Sequence, residues 1–104
     1  MPQIILKNIS RKDFIELSPA IAETVAGIIE VPREYIVTEF AETSFCRGGT
    51  PDLHSAMAWI CWKKRTPELQ KKTAAALAEI LEKAGYHPVE IIYDNLNMDD
   101  FYEF

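Results

Sequence analysis

The sequence of 104 residues is poor in cysteine, histidine and glycine, and it contains no long apolar run. Cys46 and Cys61 form no CxxC pair and no disulfide framework, so free thiols in a reducing compartment are expected. No apolar stretch approaches the roughly 20 residues that a membrane span needs, and the N-terminus lacks the basic and then apolar layout of a signal peptide. These absences predict a cytoplasmic protein that does not enter the membrane.

Basic residues are also in the minority, with 11 Lys and Arg against 16 Asp and Glu and a formal net charge of −5. This balance argues against a general nucleic-acid binder, which presents a basic surface. His54 and His87 have no partners at metal-ligand spacing, so neither a metal nor a cofactor is predicted. The length fits one domain, residues 1–104, with a modest core of its own, so help from a partner subunit is expected.

The N-terminal stretch is a short apolar strand, residues 1–7, in which Pro2 directly follows Met1. If Met1 is removed, Pro2 becomes a secondary amine, and α-amino groups have pKa values of about 7.7–8.0. Burial would lower that pKa because desolvation disfavours the ammonium form. Such an amine suits proton abstraction next to a carbonyl. The structural alternative is a proline that only opens a strand.

The next segment has the pattern of an amphipathic helix that begins after a capping Ser10. Its apolar residues recur at helical spacing and predict one buried stripe: Phe14, Leu17, Ile21, Val25 and Ile28. Pro19 removes one backbone donor, so a kink, or a restart of the helix with Ser18 as the cap, is expected there. Pro32 ends the helical region.

Two strands follow, separated by a segment that is rich in turn-forming residues. Residues 35–43 alternate as a strand, and residues 46–52 are expected to form an exposed loop. The second strand, residues 55–62, has apolar side chains on both faces, including Trp59 and Cys61 on one of them. Both faces of this strand must therefore be covered.

The second helix has the clearest boundaries in the chain. Thr66 is a candidate N-cap, Pro67 occupies the first helical position, and Gly85 closes the helix. A last strand is expected over residues 88–93, and an acidic and aromatic tail, residues 95–104, ends the chain.

This order predicts an α+β domain made of two β-α-β units, with a four-stranded mixed sheet and two helices on one face. Two helices cover one face of such a sheet, so the two-sided strands predict that the other face is buried against further copies with closed symmetry. An antiparallel ferredoxin-like sandwich has the same element order and is the main alternative.

The sequence resembles the tautomerase superfamily, which includes 4-oxalocrotonate tautomerase, malonate semialdehyde decarboxylase and macrophage migration inhibitory factor. It is most similar to the small uncharacterised members of that superfamily. The resemblance spans nearly the whole chain and lies in the order of several short motifs: Pro2, Pro32-Arg33-Glu34-Tyr35-Ile36, Gly48-Gly49, Val89-Glu90-Ile91-Ile92-Tyr93 followed by Asn97, and Phe101-Tyr102-Glu103-Phe104.

The resemblance implies a homotrimer with sites at the subunit interfaces, in which Pro2 is a base or acid toward a small α-keto or unsaturated carboxylic acid. Arg65, with Lys63 beside it, corresponds to arginines that bind a substrate carboxylate just before the second helix. This position suits an anion because an arginine fork and a helix N-terminus both attract one. Further candidate substrate-binding residues are Arg33, Glu39, Trp59 and Tyr35.

Each of these residues also has a structural interpretation. Arg65 and Lys63 can be solvated charges before a helix, Glu39 an edge-strand charge, and Trp59 and Tyr35 core aromatics. For the whole chain, the alternatives to an enzyme are a non-catalytic trimeric scaffold or binding protein with the same fold and, with less support, a monomeric ferredoxin-like regulatory domain.

Overall fold

A computed structural model describes residues 2–104; the methionine that precedes Pro2 lies outside the described residues. These residues form six strands and two α-helices, together with short 3-10 turns at Arg33–Tyr35 and Met98–Asp100. The elements are β1 (Gln3–Lys7), α1 (Arg11–Ile29), β2 (Val37–Ala41), β3 (Phe45–Arg47), β4 (Thr50–Asp52), β5 (Ala56–Lys63), α2 (Pro67–Lys83) and β6 (Val89–Leu96).

The main sheet has four strands in the order β2-β1-β5-β6. β1 pairs with β2 in parallel, β5 pairs with β6 in parallel, and β1 and β5 run antiparallel to each other. Each β-α-β unit therefore contributes one parallel pair, and the two units join at the centre. This confirms the predicted α+β fold, and the parallel pairing of β1 with β2 excludes the antiparallel ferredoxin-like alternative.

Both α-helices begin and end where local sequence signals place them. The Ser10 hydroxyl accepts a hydrogen bond from the backbone N–H of Asp13 at 3.1 Å, and the Thr66 hydroxyl accepts one from Leu69 at 3.2 Å. These bonds satisfy N–H groups that have no partner within the helix. Gly85 follows α2 with φ of 102°, a conformation that glycine adopts without steric cost.

The predicted restart of the first helix at Pro19, with Ser18 as its cap, is wrong. α1 is continuous from Arg11 to Ile29, and Ser18 lies inside it as a helical residue. Its hydroxyl donates to the Phe14 carbonyl at 2.6 Å, one turn earlier, so Ser18 caps no helix. Proline in a helix interior is costly, and here the packing of α1 on the sheet overrides that local preference, with Ile21 and Val25 fully buried just beyond it.

The predicted exposed loop over residues 46–52 is instead part of a β-hairpin. β3 and β4 pair antiparallel around a two-residue turn of Gly48 and Gly49, whose φ values are 55° and 81°. Positive φ at both positions gives the turn type that matches the twist of a hairpin, and Gly-Gly is one of its sequence signals. The last strand also differs from expectation, because β6 continues three residues beyond Tyr93.

The core lies between the sheet and the two helices. Alternate strand residues point toward the helices and are buried, while the others point to the opposite face. The largest fully buried side chains are Trp62, Ile4, Leu6, Ile21, Ile60, Leu77 and Leu81. Within residues 2–104, no helix has the length and apolar character that crossing a membrane requires.

The sheet face opposite the helices, termed the open face, is only partly covered in a single chain. Its central row, which follows the pairing of the four strands, consists of Glu39, Ile5, Trp59 and Ile92. The three apolar members of this row are half-buried and Glu39 is exposed. The open face therefore presents a band of apolar side chains, as the two-sided strands predicted.

Candidate active site

Pro2 lies at the end of the sheet where β1 and β2 begin and where β5 and β6 finish. The strand directions bring these four ends together, since β5 runs antiparallel to β1 and parallel to β6. We call this the proline end of the sheet. It includes Pro2, directly before β1, and the strand residues Val37, Trp62 and Asn95.

Pro2 is held by both neighbouring strands. Its carbonyl oxygen accepts a hydrogen bond from the backbone N–H of Val37 at 2.9 Å. The register that pairs Gln3 with Cys61 places Trp62 opposite Pro2 at the next position. The side chains of Pro2 and Trp62 are both fully buried. The candidate base is therefore fixed in an apolar environment rather than carried on a free strand end.

Trp62 is the centre of an aromatic stack on the helix side of the sheet. Its ring lies 4.7 Å from that of Tyr93, with an angle of 18° between the planes. The Trp62 Nε1–H donates to Asn95 Oδ1 at 3.1 Å, and the Tyr93 hydroxyl donates to the Gln70 carbonyl at 2.6 Å. Burial raises the pKa of Tyr93 to about 12. The stack thus connects β5, β6 and α2.

Arg65 packs on the same stack. Its guanidinium carbon lies 4.8 Å from the centre of the Trp62 ring, and Nη1 donates to the Lys63 carbonyl at 2.9 Å. Burial lowers the pKa of Arg65, but arginine stays protonated in proteins. Within residues 2–104, no acidic side chain forms a salt bridge with Arg65. The Nε–Nη2 edge of the guanidinium is therefore available for an anion, next to the first turn of α2.

The other two predicted cations lie at the proline end as well, but on different flanks. Lys63 is exposed at the end of β5, two residues before Arg65. Arg33 is exposed in the 3-10 turn that precedes β2. Arg65 is thus the predicted cation that is packed against the core beside Pro2.

Glu39 and Trp59 lie on the open face, on the other side of the sheet from Trp62 and Arg65. Both pair with Ile5 in the centre of the sheet. Glu39 accepts a hydrogen bond from the Gln3 side-chain amide, and the Lys7 ammonium lies 5.0 Å from the centre of the Trp59 ring. The structure therefore does not bring these two residues together with Pro2 and Arg65 within one chain.

Tyr35, the last predicted substrate-binding residue, lies in a groove at the edge of the proline end. The groove has a volume of about 530 Å³ and is lined by Glu34, Tyr35, Val37, Phe101 and Glu103. The C-terminal tail thus contacts the region where β2 begins. The same Val37 donates its N–H to the Pro2 carbonyl, so the groove adjoins the candidate base.

Two residues that organise this site are not among the predicted site residues. In the sequence, Trp62 is one of several apolar residues of a strand, and Asn95 begins the expected tail. A tryptophan at the end of a strand, directly before a basic run and a helix cap, is the signal that could have identified the arginine platform. No group of three or more His, Cys, Asp or Glu residues in the described part of the chain is placed to hold a metal ion.

Comparison with solved structures shows the same fold in proteins of several kinds. A domain of unknown function (DUF1904) from Sebaldella termitidis is 25% identical, with a TM-score of 0.90 over 99% of this chain and 95% of that one. Pt0534, in a structure inactivated by 2-oxo-3-pentynoate, is 15% identical, with a TM-score of 0.79 over 98% and 89% of the two chains. A fused 4-OT, described as an asymmetric trimer, is 16% identical, with a TM-score of 0.79 over 98% and 90%.

The likeness to 4-OT confirms the predicted relationship to the tautomerase fold. No curated protein matches the chain. The family model for DUF1904, a domain of unknown function, matches residues 1–103. Because the match covers almost the whole sequence and the fold agrees, this chain belongs to the DUF1904 family, and its fold is that of the tautomerases.

Proposed function

We propose that this chain is a cytoplasmic enzyme of the tautomerase type that acts on a small α-keto or unsaturated carboxylic acid without a metal or cofactor. The observation that carries the proposal is the arrangement at the proline end. Pro2 is fully buried opposite Trp62, and the same tryptophan ring supports Arg65. A candidate base and a candidate carboxylate ligand are therefore attached to one rigid platform.

The proposed base is the Pro2 nitrogen, which is a secondary amine once Met1 has been removed. The Pro2 ring is fully buried, and desolvation disfavours the charged ammonium form, so we expect the pKa of the free amine to lie below that of an exposed one. In its neutral form the amine can accept a proton. A base whose pKa lies near the working pH gives the most effective proton transfer.

Arg65 is the proposed ligand for the substrate carboxylate. A guanidinium edge binds a carboxylate through two parallel hydrogen bonds, and the dipole at the N-terminus of α2 also favours an anion. Lys63 and Arg33 add positive charge at the same end of the sheet from more distant positions. In the proposed complex, the carboxylate binds on one side of Pro2.

The proposed reaction is a proton transfer in two steps. The Pro2 nitrogen takes a proton from carbon 3 of a 2-oxo acid, and the electron pair of the broken C–H bond forms the C2–C3 double bond. Negative charge moves to the 2-oxo oxygen, where nearby cations stabilise it. The Pro2 ammonium then returns the proton to that oxygen or to a more distant carbon of an unsaturated acid, so the enzyme ends unchanged.

We further propose that the active form is a homotrimer in which the open face is buried between subunits. The open face carries a band that includes Ile5, Trp59 and Ile92, and no helix among residues 2–104 covers it. An apolar surface of this kind is usually an interaction surface. In such an assembly, Glu39 and Trp59 contribute to the sites from the interfaces rather than from within one chain.

The test uses untagged protein and 2-oxo-3-pentynoate, the compound that inactivates Pt0534. The Pro2 amine would add to the alkyne, forming one N–C bond while the N–H proton moves to the adjacent carbon. Mass spectrometry should first show chains that lack Met1 and then an increase of one reagent mass per chain, located at Pro2 by peptide mapping. Chains that keep Met1, or an unmodified Pro2, would contradict the proposal and favour the non-catalytic scaffold.

Two arginine variants provide a matched comparison in the same experiment. Arg65→Gln should slow the modification of Pro2 about tenfold or more, because a charge-assisted bidentate contact is lost. Arg33→Gln removes an equal charge from the same end of the sheet and should have a much smaller effect. Equal rates for the two variants would remove Arg65 from its proposed role.

A further inference from the structure

The groove beside Pro2 is lined by both apolar and acidic side chains, and this lining affects which acids can bind. Tyr35, Val37 and Phe101 give it an apolar lining, and Glu34 and Glu103 add two carboxylates. Both glutamates are exposed and belong to different segments, the turn before β2 and the C-terminal tail. The tertiary fold therefore brings two negative charges to one groove.

Positive charge does not compensate these carboxylates inside the groove. Arg33 shares the 3-10 turn with Glu34, but it is not among the residues that line the groove. None of the salt bridges within residues 2–104 involves Glu34 or Glu103. The groove therefore repels a second anionic group while its aromatic and aliphatic side chains accept an apolar one.

The groove and Arg65 lie on opposite sides of Pro2. Arg65 packs on Trp62 of β5, and the groove begins at Val37 of β2, with β1 between these two strands. Two strand spacings amount to about 10 Å. Val37 lies two residues before Glu39 in β2 and therefore shares the open face with it, whereas Arg65 packs on the helix side. A substrate whose carboxylate binds Arg65 and whose carbonyl faces Pro2 therefore passes the end of the sheet before its remaining carbons reach the groove.

We propose that Glu34 and Glu103 determine specificity, so that the site selects 2-oxo monocarboxylates with an apolar tail and rejects dicarboxylates. This inference rests on the proposed function, and it adds the substrate class to it. The apolar tail packs between Tyr35 and Phe101, whereas a terminal carboxylate meets two like charges. Like charges brought close together weaken binding.

The test compares two six-carbon acids that differ only at the far end, 2-oxohexanoate and 2-oxoadipate. Binding to the untagged protein is measured by calorimetry or by amide chemical shifts, neither of which needs turnover. We expect 2-oxohexanoate to bind about tenfold or more tightly than 2-oxoadipate, because juxtaposed like charges weaken binding. In the double variant Glu34→Gln/Glu103→Gln, this preference should fall to about threefold or less, because both repelling charges are gone.

A charge-matched control is Glu16→Gln/Glu23→Gln, which removes two exposed carboxylates from α1. This control should keep the full preference for the monocarboxylate. Equal binding of the two acids, an unchanged preference in the groove variant, or no binding of either acid would overturn the inference. If the protein prefers 2-oxohexanoate but 2-oxo-3-pentynoate does not modify Pro2, only the catalytic proposal is rejected. If Pro2 is modified but the two acids bind equally, only this inference is rejected.

Discussion

The guanidinium carbon of Arg65 lies 4.8 Å from the centre of the Trp62 ring, which is itself fully buried. The Arg65 side chain is thereby packed on the hydrophobic core. Without this contact, an arginine at the start of a helix would sample many rotamers. The contact links the proposed carboxylate ligand to the region of Pro2, since the register that pairs Gln3 with Cys61, continued by one residue, leads to Pro2 and Trp62. The stability of the core and the geometry of the site therefore depend on the same side chain.

Two substitutions of Trp62 should separate its roles. Trp62→Leu removes the ring under Arg65 and leaves a cavity, so we expect the free energy of unfolding to fall by about 2–4 kcal/mol. Trp62→Phe keeps an aromatic face but loses the hydrogen bond to Asn95, which is worth about 1 kcal/mol. Urea unfolding measures both losses. At matched stability, only Trp62→Leu should slow the modification of Pro2, and equal slowing in both variants would argue against the platform role.

Asn8 should be unusually sensitive to substitution because it connects β1 to the hairpin. Its φ is 64°, its amide donates to the carbonyls of Asp52 and Ser55 at 2.9 and 2.8 Å, and its Oδ1 accepts from the Phe45 N–H at 3.0 Å. Asn8→Ala should lower the free energy of unfolding by about 2–4 kcal/mol, because it loses these bonds and adds left-handed strain.

The control for this prediction is Asn8→Gly, which loses the same hydrogen bonds without the strain. It should be about 1 kcal/mol more stable than Asn8→Ala. Hydrogen exchange at the Phe45 amide gives an independent measurement, because that N–H loses its acceptor in both variants. Unchanged protection of Phe45 would show that the side chain of Asn8 does not hold the hairpin.

The fold should lose stability in alkaline solution through Tyr93. Burial raises its pKa to about 12 in the folded chain, whereas an unfolded tyrosine titrates near 10. The stabilisation that the neutral, buried Tyr93 provides is complete below about pH 10 and is lost as the pH rises through about 12. The reason is that this tyrosine ionises at a lower pH in the unfolded chain than in the folded one. The loss of stability is measured by thermal unfolding of wild type and Tyr93→Phe at pH values from about 8 to about 12, on both sides of the unfolded pKa of about 10.

Tyr93→Phe should show a shallower alkaline decline than wild type. It should not abolish the decline, because burial also raises the pKa of Tyr86. Tyr86→Phe is therefore the second variant, and the double variant should be the least sensitive of all. A decline of the same steepness in Tyr93→Phe and wild type would show that Tyr93 ionises without unfolding the chain.

The proposed trimer predicts different outcomes for two substitutions of apolar residues. Trp59→Asp places a charge at the centre of the open face and should convert the trimer to monomers, because a buried unpaired charge is costly. Ile15→Asp makes a similar change on α1, where the side chain is 63% exposed, and should leave the trimer intact. Light scattering of wild type at one chain mass would contradict the assembly directly.

The parts of the fold that depend on neighbouring residues were predicted well. The cap at Thr66, the proline at position 67 and Gly85 mark the second helix because hydrogen bonds and φ preferences act over a few residues. Strand alternation likewise predicted that β5 is two-sided. These signals are local, so one sequence carries them in full.

The errors arose where distant segments override local preference. Pro19 predicted a break, but α1 continues because packing on the sheet outweighs one missing hydrogen bond. The segment around Gly48 was expected to be an exposed loop, but it forms a hairpin that contacts Asn8 and, through Arg47, Glu90 of β6. Both partners are far away in the sequence, so composition alone gave no sign of these contacts.

The sequence by itself determined the two β-α-β units, the boundaries of the second helix, the two-sided character of β5 and the resemblance to the tautomerases. Only the tertiary structure decided which candidate residues share a site. Arg65 lies on Trp62 beside Pro2, whereas Glu39 and Trp59 lie on the open face. The physical reason is that side-chain alternation assigns residues to two faces of a strand, but pairing and helix packing decide which face becomes the core.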